Sequence, residues 1–344
     1  MRIRRKIART AMALAAALAV AGCATQGGAT QSDKVNVVTS FFPLYDFART
    51  IGGERVHAIN MIPAGVEPHD WTPKSQDMKN IARAQVFVYQ GAGFEGWTDD
   101  VLGGLDTQGV VIVEASRGIE LIEASEEAGD AHAHEEAAHA EEEHAHEEEA
   151  HAEEEHAHEE EAHAEEGHDH GAYDPHTWLS PRSALQMAAN ILEGLQTADP
   201  AHAAEYEANY EALKAELTAL DAAYTDRLSA AANKEMVVSH QAFGYLARDY
   251  GVTQMPMMGI AAESEPTAQD LKRISEFVKE HDVKYIFTEE LVSSRLAETL
   301  AKDLGVETLP LHPLEGLTQA EAAAGETYIS LMKKNLDQLT KAFQ

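Results

Sequence analysis

Short apolar runs alternate with amphipathic stretches over residues 34–122. This alternation is typical of βα units and predicts a mostly parallel sheet. Ser75 stands at the start of one helical stretch, where a hydroxyl residue can serve as the N-cap. The predicted strands are Val35–Thr39, Val56–Ile62, Val86–Tyr89 and Val110–Glu114, and the predicted helices are Pro43–Ile51 and Ser75–Ala82.

The same rhythm returns over residues 233–344. Thr267 and Asp270 are spaced to open a helix, and Gly251 and Gly305 follow helical stretches where a left-handed terminal residue is common. The predicted strands are Met236–Val238, Lys284–Thr288 and Val306–Leu309, and the predicted helices are Ala242–Tyr250, Thr267–His281, Ser293–Leu304 and Thr318–Phe343. The chain therefore predicts an α/β fold of two lobes with mostly parallel sheets.

A long helical stretch separates the two patterns. Pro181–Gln196 predicts one helix, and Pro200–Ala231 predicts a second that is about 45 Å long, with Asp199 as its cap and Pro200 in its first turn. We expect a first lobe over 34–198, a rigid linking helix over 199–232 and a second lobe over 233–344. Ligands of such folds bind in the cleft at the carboxyl ends of the strands.

The first 33 residues differ from both lobes. Positive side chains in residues 2–9 precede an apolar stretch over residues 11–21, which is too short for a comfortable membrane span and is typical of a signal peptide. The stretch leads to Cys23, the only cysteine, in a pattern that resembles a bacterial lipobox. We predict a signal peptide over 1–22, a tether over 23–33 and an extracytoplasmic chain anchored to the membrane by lipid on Cys23.

Composition narrows the possible partners. The chain has 344 residues with 44% hydrophobic residues, enough for two cores. Its formal net charge of -33 excludes nucleic acid as a partner, because phosphate would be repelled.

A low-complexity insert covers residues 126–170. Three tandem units, HAHEEAAHAEEE, HAHEEEAHAEEE and HAHEEEAHAEEG, fill residues 132–167. Alanine is its only apolar side chain, so burial of apolar surface cannot offset the conformational entropy that the insert would lose on folding. We therefore predict that the insert is disordered. An acidic linker is one reading, and a weak, multivalent metal-collecting loop is the favoured one, since imidazole is a common metal ligand. Its eleven histidines are His132, His134, His139, His144, His146, His151, His156, His158, His163, His168 and His170.

Three other histidines lie in distinctive loops. His69 follows a predicted strand, His176 lies between Pro175 and a predicted helix, and His240 follows the strand Met236–Val238. Functional groups concentrate in such loops. The spacing of these histidines has no local metal signature, so the residues alone make a three-histidine site only a hypothesis.

Four segments together resemble the zinc- and manganese-binding solute proteins of bacterial ABC importers, known as the cluster A-I or cluster 9 binding proteins. The resemblance runs from Val35 to the C-terminus, and a loop rich in histidine and acid between the first two segments is typical of the zinc branch. The family fold has two α/β lobes linked by one long helix. The segments are GVEPHDW at 65–71, DPHTWLSP at 174–181, SHQAFGYL at 239–246 and LHPLEGLT at 311–318.

The resemblance implies a metal site in the cleft, with His69, His176 and His240 as ligands and Glu315 as the fourth. His312 or water stays open as an alternative fourth ligand. Three imidazoles and one carboxylate suit tetrahedral Zn²⁺, whereas manganese prefers more oxygen. Outer carboxylates normally orient such histidines, and the candidates are Glu67, Asp70 and Asp174.

The implied function is a monomeric zinc-capturing lipoprotein that serves an ABC importer permease and its ATPase, with no catalytic residue. A manganese-binding homologue of the same family is the first alternative. A zinc hydrolase with Glu315 as general base is another, but the chain has no HExxH helix. A surface metal buffer or adhesin without an importer is a third.

Overall fold

The computed structural model describes residues 34–69, 71–124, 172–260 and 266–344. The predicted signal peptide, the tether, Cys23, the histidine-rich insert and Asp70 lie outside these ranges. In the described part, no helix combines the length and the apolar character needed to cross a bilayer.

Four parallel strands form the first sheet, in the order β2-β1-β3-β4. The central strand β1 is almost wholly buried, as expected when helices cover both faces of a parallel sheet. Helix α1 packs on β1 and β2, and α4 packs on β3 and β4. The strands are β1 Val35–Thr39, β2 Val56–Asn60, β3 Val86–Tyr89 and β4 Val111–Glu114, and the helices are α1 Phe42–Gly52, α2 Ser75–Ala82, α3 Thr98–Gly104 and α4 Pro181–Ala198.

The second sheet repeats this arrangement in the order β6-β5-β7-β8, again with parallel pairing. Helix α8 packs on β7 and β8, and α10 reaches β8. The strands are β5 Glu235–Val238, β6 Thr253–Pro256, β7 Tyr285–Thr288 and β8 Glu307–Pro310, and the helices are α6 Gly244–Tyr250, α7 Ala268–Glu280, α8 Arg295–Leu304, α9 Gln319–Ala324 and α10 Tyr328–Ala342. The predicted fold class of two α/β lobes is confirmed.

The long helix α5, Ala203–Ser229, has 27 residues and is about 40 Å long. Near its start, Asn209 donates to the carbonyl of Ile51 in α1 at 2.9 Å. Near its end, the Tyr224 hydroxyl donates to the carbonyl of Met332 in α10 at 2.8 Å. The helix therefore holds both lobes, and one cluster of buried apolar side chains continues from the first lobe into the second.

The predicted closing helix Thr318–Phe343 is wrong as a single helix. Gly325 has a φ of 72° and ends α9, and Thr327 then caps α10 by accepting the Ser330 amide at 3.2 Å. Glycine reaches this left-handed conformation without steric cost, so the chain turns there and a second helix begins.

Two helix starts also differ from prediction. Lys74 and not Ser75 occupies the N-cap of α2, and Asp77 accepts the Lys74 backbone N–H at 2.8 Å. Pro200–His202 forms a separate 3₁₀ turn before α5. Asp199 occupies the N-cap position of that turn with Pro200 in its first turn, as predicted, but its side chain makes no capping hydrogen bond. Its carboxylate instead accepts the Tyr206 hydroxyl at 2.7 Å.

Two short elements escape prediction from the sequence. Helix α3 ends in two glycines and β6 ends in a proline, residues that disfavour helix and strand interiors. Strand β6 tolerates its proline because it lies at the edge of its sheet.

Candidate metal centre

The predicted ligands come from four loops at the facing ends of the two sheets. His69 lies in the loop after β2, and His176 immediately precedes the 3₁₀ turn Thr177–Leu179 that leads into α4. His240 follows β5 closely, and Glu315 follows β8. Since parallel strands end at one edge of a sheet, this topology places two ligands on each lobe.

One ligand atom from each of these four residues lies within 4.8 Å of every other. Glu315 Oε1 is 3.1 Å from His240 Nε2, 3.2 Å from His176 Nε2 and 3.4 Å from His69 Nε2. Ligands bound tetrahedrally to zinc at about 2.0–2.1 Å stand roughly 3.3 Å apart. The three distances from Glu315 Oε1 therefore match the spacing between ligands of a tetrahedral zinc shell.

The four candidate ligand residues are shielded from water. His176 and His240 are fully buried, and the side chains of His69 and Glu315 are 4% and 2% exposed. Within the described residues, His176 Nε2 is one of the few buried polar atoms without a hydrogen bond, which a metal ion would satisfy.

Aromatic rings line this pocket. The Phe94 ring lies 5.3 Å from the His69 ring, and the Trp178 ring lies 5.1 Å from the His176 ring. Trp71, two residues after His69, packs against Trp97 with ring centroids 5.9 Å apart. Phe94 was not anticipated from the sequence.

Outer carboxylates orient two of the histidines. Asp174 Oδ1 lies 2.8 Å from His176 Nδ1, and Glu289 oxygens lie 2.8 and 2.9 Å from His240 Nδ1. Each contact places a proton on Nδ1 and turns the Nε2 lone pair toward the site. Asp174 was among the predicted candidates, whereas Glu289 was missed. Its signal was its position directly after the strand β7.

Asp174 also links the lobes. Its backbone carbonyl accepts the hydroxyl of Tyr245 in α6 at 2.6 Å. That hydroxyl in turn accepts the Ile122 backbone N–H at 3.1 Å. The stem of the histidine-rich insert, where Glu123 pairs with Tyr173, is thereby tied to the segment that carries His176.

Burial and opposite charge compete at the ligands. Burial lowers the pKa of His176 and of His240, but the nearby carboxylates outweigh it and the pKa of each ring is raised. Burial raises the pKa of Glu315, yet His69 and His240 hold it well below its usual value. In this cluster the carboxylates therefore favour the protonated form of His176 and His240, and the imidazoles favour the ionised form of Glu315.

Glu67 contacts the backbone of His69. Its carboxylate accepts the backbone N–H of His69 at 3.3 Å. Burial, followed by repulsion from Glu315, raises the pKa of Glu67 to about 8. Glu67 thus adds a proton-binding group beside the ligands.

The remaining histidines of the described chain stand apart from this group. His312 Nδ1 accepts the Leu314 backbone N–H at 2.8 Å, and its Nε2 lies 3.4 Å from Glu321 Oε2. Both ring nitrogens therefore have other partners, and His312 is not part of the four-residue group, which does not favour it as the fourth ligand. His57 is exposed on β2, His202 lies in the 3₁₀ turn before α5 and His281 follows α7. The eleven insert histidines and Cys23 lie outside the described residues.

Comparisons with known proteins agree on one family. A family model described as ZnuA, zinc-uptake complex component A, periplasmic, matches residues 37–342. Zinc-binding protein AdcA of Streptococcus pyogenes serotype M3 is 40% identical over 306 residues, which are 89% of this chain and 55% of AdcA. The chain thus spans about half the length of that relative. High-affinity zinc uptake system protein ZnuA of Bacillus subtilis is 39% identical over 326 residues, covering 94% of this chain and 93% of that protein.

Solved structures agree with this match. The Zn(II)-bound ZnuA-like domain of Streptococcus pneumoniae AdcA superposes with a TM-score of 0.69 at 33% identity, covering 90% of this chain and 99% of the domain. The metal-dependent lipoprotein YcdH of Bacillus subtilis gives a TM-score of 0.71 at 34% identity, covering 90% and 100%.

Proposed function

The chain belongs to the family of the periplasmic component A of zinc-uptake complexes, and on that premise we propose that it captures Zn²⁺ outside the cytoplasm and delivers it to an ABC importer. The observation that carries the proposal is the buried group of His69, His176, His240 and Glu315. Two of these ligands come from each lobe. Zinc binding is then coupled to the apposition of the lobes, and their separation would release the ion.

The ligand set favours zinc over manganese. Three imidazole nitrogens and one carboxylate oxygen suit tetrahedral Zn²⁺, whereas Mn²⁺ prefers more oxygen ligands. The Nδ1 contacts of His176 and His240 with Asp174 and Glu289 support metal binding further, because such contacts make the imidazole a stronger ligand.

The same set favours binding over catalysis. A catalytic zinc site keeps a coordination position for water, while four protein ligands complete a tetrahedral shell. We therefore assign Glu315 to the metal and not to a general base. Assays of ester and peptide hydrolysis with the zinc-loaded protein should show no turnover, and turnover lost in Glu315→Gln would support the hydrolase alternative.

The proposal extends to parts of the chain outside the described residues. Lipid on Cys23 would hold a monomer at the membrane beside the permease and ATPase. The histidine-rich insert would raise the local zinc concentration, since its stem adjoins the segment bearing His176. Zinc-limited growth and uptake in a deletion strain separate an importer component from a surface metal buffer or adhesin.

Competitive metal titration tests the central claim. Residues 24–344 are titrated with Zn²⁺ and Mn²⁺ against a chelator of known affinity, with and without residues 126–170. We expect one tight zinc site that survives removal of the insert. His176→Ala should lose more than the roughly 10–100-fold typical of an outer-shell change, whereas the exposed His57→Ala should not. Preference for Mn²⁺, or loss of the tight site with the insert, would overturn the assignment.

A further inference from the structure

Leu314, the residue before Glu315, has a strained backbone. Its φ is 58°, a left-handed value that leucine disfavours because its Cβ approaches the carbonyl oxygen. The side chain is fully buried in the core that both lobes share. Surrounding contacts must therefore hold this turn, and the turn decides where Glu315 points.

His312 provides one of these contacts. The Leu314 backbone N–H donates to His312 Nδ1 at 2.8 Å. A backbone amide can only donate, so Nδ1 must carry a lone pair and a neutral ring has its proton on Nε2. The contact from a side chain to the amide two residues later has the form of an Asx turn, with imidazole as the acceptor.

His312 is itself held in place through its backbone and its ring. The backbone N–H of His312 donates to Asn335 Oδ1 at 2.8 Å, and Asn335 Nδ2 donates back to the His312 carbonyl at 2.7 Å. On the other side of the ring, Nε2 lies 3.4 Å from Glu321 Oε2. His312 is 4% exposed, so this acceptor is buried and oriented before any metal arrives.

The turn is also tied to the first lobe. The Pro313 carbonyl accepts Trp178 Nε1 at 2.7 Å, and Trp178 belongs to the 3₁₀ turn beside His176. We propose that His312 is a positioning residue, which holds the left-handed turn at Leu314 and thereby aims the Glu315 carboxylate at the metal. This inference rests on the proposed role of Glu315 as the fourth ligand.

Two variants of His312 with side chains of similar size test whether the hydrogen-bond acceptor at this position is what matters. In residues 24–344, His312→Asn can accept the Leu314 amide through Oδ1, whereas His312→Leu cannot. We expect His312→Leu to bind Zn²⁺ about 10–100-fold more weakly than the parent and His312→Asn to recover most of that loss. The visible spectrum of the Co²⁺-loaded His312→Leu protein should shift toward that of Glu315→Gln, which a general loss of stability would not produce. His57→Leu is the matched control.

The possible outcomes distinguish failure of the positioning role of His312 from failure of the proposed zinc site. If Glu315→Gln binds zinc as tightly as the parent, the proposed ligand set fails. If Glu315→Gln weakens binding but His312→Leu does not, or if the asparagine and leucine variants lose affinity equally, only the positioning role fails. Should His312→Leu not fold, long-range ¹H–¹⁵N spectra of the parent decide: an unprotonated His312 Nδ1 near neutral pH supports the role, and a protonated one refutes it.

Discussion

Replacing Glu289 by glutamine should weaken zinc binding although Glu289 is not one of the four proposed ligands. Both carboxylate oxygens lie within 2.9 Å of His240 Nδ1, and one also accepts the His240 backbone N–H at 3.3 Å. The negative charge of Glu289 makes the His240 imidazole more basic, and the contact at Nδ1 orients Nε2 toward the metal site. Glutamine keeps a neutral acceptor of the same shape, so we expect about a tenfold loss, near 1.4 kcal/mol. Glu289→Leu loses both effects and should cost about 100-fold.

The loss should depend on pH in a defined direction. Burial lowers the pKa of His240, but Glu289 and Glu315 outweigh it, so the pKa is raised and zinc must displace a proton below that pKa. Glu289→Gln lowers the pKa and reduces this competition. The affinity gap between variant and parent should therefore be largest near pH 8 and shrink toward about pH 6.

Competitive zinc titration across this pH range is the assay, with Glu307→Gln, at an exposed position on β8 of the same lobe, as the matched control. A gap that stays constant with pH or widens in acid would refute the reasoning. An equal loss in Glu307→Gln would show that general surface charge, and not the contact with His240, is responsible.

Three further perturbations test other parts of the structure. Gly244→Ala places a Cβ 2.5 Å from Asp174 Oδ2, so it should displace that carboxylate and weaken zinc binding about tenfold in the same titration. Gly194→Ala places a Cβ 2.4 Å from Val113 Cγ2, so urea unfolding should show a loss of about 1–3 kcal/mol. In the zinc-free protein, the pKa of Glu315 is lowered, so its charge stabilises the fold at pH values above 4.5, the pKa of the unfolded chain. The pKa values of His176 and His240 are raised, so their charges stabilise the fold at pH values below 6.5, the pKa of an unfolded histidine. Glu315→Gln should therefore reduce the free energy of unfolding most between these values and less at about pH 8, as measured by denaturation in chelator.

The controls for these three are equally specific. Gly103→Ala serves both glycine variants, because its Cβ would meet nothing within 4 Å. Gly194→Ala as stable as Gly103→Ala would contradict the close packing of α4 on β4. Unchanged zinc affinity in Gly244→Ala would mean that the Asp174 carboxylate is not constrained there. A Glu315→Gln penalty independent of pH would show that packing, and not charge, causes it.

Local sequence patterns were enough to predict most of the elements. Apolar runs such as Val35–Thr39 and Val86–Tyr89 identify buried parallel strands because both faces of such strands are covered. Gly251 and Gly305 mark helix ends, and both have positive φ. Gly325 carries the same signal, but its helical surroundings hid the break between α9 and α10. The short strand β6 was missed because it ends in a proline, a residue that disfavours strand interiors.

The sequence by itself determined two α/β lobes, and its motifs nominated His69, His176, His240 and Glu315. Only the tertiary structure decided how these proposed ligands are supported. Glu289 lies 49 residues from His240 and meets it because β7 is the neighbour of β5 in the sheet. His312 resembles a ligand in the sequence, yet the fold directs its nitrogens to Leu314 and Glu321. Strand order and buried hydrogen bonding settle such partners, because they depend on which distant segments meet and not on any local pattern.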